Sequence, residues 1–92
     1  PLHHPLLATS YNNIAGVYAK LKEFSHALTY YTKALAIQEQ TLSPNHIDLI
    51  QSYINVGAIF KGLREYPRAL SFYTKALDIE EKVLPNDRLE LA

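Results

Sequence analysis

The chain has 92 residues, 48% of them apolar, and its nine basic side chains balance nine acidic ones with no cysteine present. That balance leaves no positive excess to hold nucleic acid or an anionic membrane surface. No apolar run approaches the roughly 20 residues that span a bilayer, and no signal-peptide pattern opens the chain; without cysteine there is no disulfide, thiolate zinc site or cysteine nucleophile, a composition that fits a cytoplasmic protein.

In chain order, a first helix is expected from about Pro5, a residue tolerated in a first turn, to about Leu21. Leu7, Tyr11, Ile14, Val17, Tyr18 and Leu21 recur at steps of three and four, which places one apolar face on a helix. After the polar corner Lys22-Glu23, a second helix runs from about Phe24 to Leu42. It turns Phe24, Ala27, Leu28, Tyr31, Ala34, Leu35 and Ile37 or Gln38 toward its neighbours. Ser43-Pro44-Asn45 ends it, because Pro44 removes a donor and disfavours helical geometry at Ser43, and Asn45 is expected to cap the next helix. A third helix from about His46 to Leu63 and a fourth from about Pro67 to Leu84 repeat the plan. Asp78 and Lys82, spaced i,i+4, support an exposed face of the fourth.

This plan is an internal repeat. Tyr31-Thr32-Lys33-Ala34-Leu35 returns as Tyr73-Thr74-Lys75-Ala76-Leu77 at an offset of 42 residues, which also carries Tyr11 onto Tyr53, Asn13 onto Asn55, Ala27 onto Ala69 and Leu42 onto Leu84. The chain therefore divides into residues 1–44, residues 45–86 and the start of a third unit at 87–92. Small residues (Ala15 with Gly57, Ala27 with Ala69, Ala34 with Ala76) recur where helices must approach. Bulky ones (Tyr18 with Phe60, Phe24 with Tyr66, Tyr31 with Tyr73) fill the space between. A chain this short buries only about 60% of its unfolded surface, so stability should come from stacking. Its start at Pro1 and its end partway into a third unit read as a piece of a longer array. Cut faces without polar caps should favour end-to-end self-association.

The pattern Tyr11…Ile14-Ala15…Tyr18…Phe24…Ala27…Tyr31…Ala34, with its second copy Tyr53…Val56-Gly57…Phe60…Tyr66…Ala69…Tyr73…Ala76, resembles the tetratricopeptide repeat, a pair of antiparallel helices. The common unit has about 34 residues; here the extra length falls between Ala34 and Pro44 and would lengthen the second helix of the pair by about two turns. In this long form, with Tyr-Asn-Asn-Ile-Ala at 11 to 15 and Ala-Leu-Ala-Ile-Gln-Glu-Gln-Thr-Leu-Ser-Pro-Asn-His at 34 to 46, the units are similar to those of the kinesin light chain family. The resemblance implies an all-α superhelix of about two hairpins plus the start of a third. The usual corner glycine is replaced by Lys22 and Arg64, and the second copy has Ile54 where the first has Asn12.

Catalysis finds no support. His3, His4, His26 and His46 form neither an H-E-x-x-H spacing nor a triad-like neighbourhood, no paired-carboxylate cleft is evident, and three glycines leave no phosphate-cradling loop. No metal or cofactor is expected. Solenoids instead bind partners along an extended concave wall. Residues of the first helix of each pair that face away from the second helix are Thr9, Asn12, Asn13, Gly16 and Lys20 in one unit, and Gln51, Asn55, Ala58 and Gly62 in the other. Asparagine is a poor helix former, so its recurrence at Asn13 and Asn55 asks for a reason; a primary amide can bracket a peptide backbone with one acceptor and two donors. In tetratricopeptide domains that clamp peptides an asparagine at this place does that work, and the resemblance implies the same here, against the alternative of a merely solvated amide. Gly16 and Ala58 leave room for a peptide. Lys20 and Lys61 either add a positive rim suited to an acidic segment or serve the helix dipole and solubility. The alternative function is a structural spacer that stacks without a dedicated ligand.

Overall fold

The computed structural model describes residues 4–84 as four helices: α1 (Pro5–Lys20), α2 (Phe24–Thr41), α3 (Asp48–Gly62) and α4 (Tyr66–Val83). The expected start of a third unit at 87–92 lies outside the described residues. Helices α1 and α2 form one antiparallel hairpin, α3 and α4 a second, and α2 packs on α3 to join them. The array is all-α.

Histidine sets where both first helices of a pair begin. At α1, His4 Nδ1 accepts the Leu6 N–H at 3.0 Å, and at α3, His46 Nδ1 accepts the Asp48 N–H at 3.0 Å. Each satisfies a backbone donor orphaned at a helix start. The cap expected from Asn45 is thus supplied by His46, and α3 begins at Asp48 rather than His46 because the His46 N–H turns back onto Ser43 O at 3.0 Å.

Both corners close the same way. Lys22 and Arg64 have φ of 61° and 63°. The Glu23 N–H donates to Tyr18 O at 2.9 Å and Lys22 N–H to Ala19 O at 2.9 Å, matched by Glu65 N–H to Phe60 O at 2.9 Å and Arg64 N–H to Lys61 O at 3.0 Å. This is the paired helix-ending bond pattern that normally employs glycine. A non-glycine residue there is strained by about 1–2 kcal/mol, offset partly by glycine's larger unfolded entropy. Lys22→Gly with Arg64→Gly is therefore expected to stabilise the fold by about 1 kcal/mol, raising Tm by about 4–8 °C in a thermal melt; an unchanged or lower Tm would count against strain at the corners.

Ala15, Ala27 and Ala34 are fully buried in the first hairpin, and Ala69 and Ala76 nearly so in the second. At Gly57 a Cβ would fall 3.0 Å from the Tyr73 ring and 3.3 Å from Ala69 O, so glycine sets how closely α3 and α4 approach. The main apolar cluster joins Leu35 of α2, Leu49, Tyr53, Val56 and Phe60 of α3, and Ala69, Ala76 and Ile79 of α4.

One expected core face is only partly buried. Ile14, Val17 and Leu21 are 41%, 60% and 61% exposed, whereas Val56 and Ile59, the counterparts of the first two, are 0% and 3% exposed. The residue types are equivalent and the neighbours are not: α2 covers that face of α3, and no described helix covers it on α1.

A ladder of rings runs inside each hairpin. Tyr30 stands between Tyr11 (centroids 6.0 Å apart) and Tyr18 (5.9 Å), and Tyr18 stacks on His26 at 4.9 Å. Tyr30 is thus engaged within its own unit. The second copy reads Tyr53, Phe72, Phe60. Lys33 Nζ lies 5.5 Å from the Tyr11 and Tyr30 ring centres; Lys75 lies 5.5 Å from Tyr53 and 5.0 Å from Phe72, and Arg68 sits 5.7 Å from Phe60. Each ladder carries a cation over its rings, an arrangement that favours the packed state.

Candidate functional site

Polar contacts cross the join between the hairpins. From the last turns of α2, Gln38 Oε1 accepts the Ser52 hydroxyl of α3, and Glu39 Oε2 accepts the Tyr53 hydroxyl at 2.8 Å. Burial first, then this bond and the Glu39 charge, push the Tyr53 hydroxyl up to about 12. These bonds fix α3 against α2. Because α1 and α3 each run antiparallel to α2, they run parallel to each other and present equivalent stripes.

Thr9, Asn13, Gly16 and Lys20 follow one another at steps of four, three and four along α1, and Gln51, Asn55, Ala58 and Gly62 do so along α3. Thr9, Asn13, Lys20, Gln51, Ala58 and Gly62 are exposed, while Gly16, Asn55 and Asn12 are half-buried. A Cβ at Gly16 would rest 3.7 Å from the Tyr31 hydroxyl, an ordinary contact. At Gly62 it would fall 2.8 Å from the Phe24 ring, so Gly62 is small in order to seat α2 rather than only to widen a groove.

The two asparagines differ. Gln51 Nε2 donates to Asn55 Oδ1 at 2.8 Å, which occupies that acceptor and leaves both Asn55 amide protons for another partner. Thr9 holds the place of Gln51 in the first unit, and among the described residues no side-chain bond engages Asn13.

Three residues that the sequence did not place at this face close its N-terminal end. Gln38, Thr41 and Asp48, with Pro5, Ala8, Thr9 and Leu42, line a cavity of about 150 Å³ between the starts of α1 and α3. Only the relative placement of three helices brings them together. Asp48 makes that end negative, whereas Lys20 and Lys61 lie in the last turns of α1 and α3. A larger open depression, of about 560 Å³, runs along the outer side of α4 past Pro67, Leu70, Thr74 and Asp78; a single helix lines it, and it lies away from the asparagine stripes.

Among the described residues no group of three histidine, aspartate or glutamate side chains is placed to hold a metal, and no helix is long and apolar enough to cross a membrane. The family model described as tetratricopeptide repeat matches residues 4–82. The chain belongs to the tetratricopeptide repeat family. Members of this class are protein-binding repeats that typically carry no catalysis. No curated protein matches the chain.

Proposed function

We propose that the face shared by α1 and α3 binds an extended segment of a partner protein, with Asn13 and Asn55 bracketing its backbone. The observation that carries this reading is the bond from Gln51 to Asn55, which turns an amide with two unused donors outward on an open stripe, 42 residues from its twin Asn13. Gly16 and Ala58 leave space beside the amides. Lys20 and Lys61 favour acidic side chains at one end, and Asp48 favours a basic or hydrogen-donating one at the other. The groove is a docking surface and performs no chemistry.

The test begins with peptides selected from a random library on the wild-type chain. Asn13→Ala combined with Asn55→Ala should weaken their binding by at least about tenfold, the loss of one to two hydrogen bonds made to a desolvated backbone. Because both asparagines lie on the helix surface, Tm should stay within about 3 °C. Retained affinity would remove the amides from the site.

A further inference from the structure

Three helix ends meet at the cavity that closes the N-terminal end of the groove: the starts of α1 and α3 and the last turn of α2. Pro5, Ala8 and Leu42 make its apolar part. Thr9, Gln38, Thr41 and Asp48 make its polar part.

Two of those polar groups are set to accept rather than donate. The Thr41 hydroxyl gives its one proton to Ile37 O at 2.9 Å, which leaves only lone pairs for a guest. Among the described residues only His46 lies within ion-pair distance of the Asp48 carboxylate, with Nδ1 3.8 Å from Asp48 Oδ2. That nitrogen accepts the Asp48 N–H and therefore carries no proton for the carboxylate.

The end of α2 acts in the same direction. A helix C-terminus carries about half a negative charge and favours a cation beside it. Lys20, Lys61 and Lys82 occupy the last turns of α1, α3 and α4, whereas the last turn of α2 has no basic side chain. The starts of α1 and α3 oppose this with partial positive charge, and at each a histidine lone pair meets a backbone N–H. The full charge of Asp48 decides the sign.

We infer that the cavity takes the side chain of a lysine carried by the bound segment, a reading that rests on the groove proposed for Asn13 and Asn55. The lysine methylenes lie against Pro5, Ala8 and Leu42, and its ammonium sits between Thr41 Oγ1 and the Asp48 carboxylate. At the volume of one liquid water per heavy atom, 150 Å³ holds about five heavy atoms, the number in a lysine side chain. An arginine is longer and overfills it. A long aliphatic stem that ends in a charge suits a pocket with an apolar wall and an anion at its exposed edge.

The test uses the full chain and the peptides selected on it from a random library. Those peptides should share a lysine at a fixed distance from the stretch whose binding needs Asn13 and Asn55. Acetylating that lysine removes its charge and should weaken binding by at least about fivefold; Asp48→Asn should do the same, and Asp48→Glu should keep most of the affinity. The two losses should not add, so Asp48→Asn should bind the lysine and acetyl-lysine forms alike. Asp48 is exposed and the cap at that position comes from His46, so helix content should not move. Residues 1–3 are present in the full chain and compete with the lysine for the cavity. The proposal is overturned if the peptides share no lysine, if arginine serves as well, or if acetylation weakens binding to wild type and Asp48→Asn equally. Binding that needs the asparagines and ignores acetylation removes the cavity and leaves the groove. A lysine dependence that survives Asn13→Ala with Asn55→Ala removes the asparagines and leaves the cavity, and an empty selection removes both.

Discussion

Val56→Asp is expected to unfold most of the chain at room temperature, while Ile14→Asp, at the same place in the preceding unit, leaves it folded. Val56 is fully buried in the cluster that unites α2, α3 and α4. A carboxylate there loses the apolar burial and enters a site without a polar partner, a combined cost on the order of 5 kcal/mol. A chain of this size has about 5–14 kcal/mol of total stability, and a short repeat array belongs at the low end. Ile14 is 41% exposed and its replacement keeps the carboxylate in water, at a cost of about 1 kcal/mol. Far-UV circular dichroism melts of the two variants decide the matter: equal losses of Tm would mean that the α1 face is covered to the same degree as its twin.

Alkali should expose the second large effect. The Tyr53 hydroxyl, ordinarily near 10.0, is raised to about 12 by burial, by its bond to Glu39 and by the Glu39 charge, in that order. The folded chain therefore holds this proton more tightly than the unfolded one. The corresponding stability is complete below pH about 10, falls as the pH climbs, and is gone above about 12. Tyr31, raised by burial alone, acts in the same direction. Urea midpoints measured across this range should fall steeply for wild type and less steeply for Tyr53→Phe, with Tyr31 supplying the residual slope. Parallel curves would show that the folded chain does not hold the Tyr53 proton more tightly than the unfolded one.

Most of the fold is legible in the sequence because its signals are periodic. Steps of three and four mark four helices, and the 42-residue offset marks their pairing. Periodicity reports which residues share a face and is silent on what covers it, so Ile14, Val17 and Leu21 look like core in the sequence and stand partly in water. The cap by His46 is hidden because histidine is a minor capping residue beside the asparagine that precedes it. For the candidate site, helical phase locates both asparagine stripes. The bond from Gln51 to Asn55 depends on side-chain rotamers, and the cavity of Gln38, Thr41 and Asp48 on the placement of three helices. Gly62 carries an ambiguous signal: a glycine on a binding stripe and a glycine under a neighbour's ring look alike until the ring of Phe24 is in place.

The corners at Lys22 and Arg64 bear on how the chain meets a protease. Trypsin cleaves after lysine and arginine, and these two are exposed at the tips where cutting would separate the helices of a hairpin. Cleavage requires a stretch of extended backbone, whereas each corner holds its basic residue at positive φ between two backbone bonds to the preceding helix. Digestion there must wait for the hairpin to open. Its rate then follows the population of opened hairpin and not the accessibility of the residue, which makes tryptic nicking a measure of how cooperatively the two units hold together.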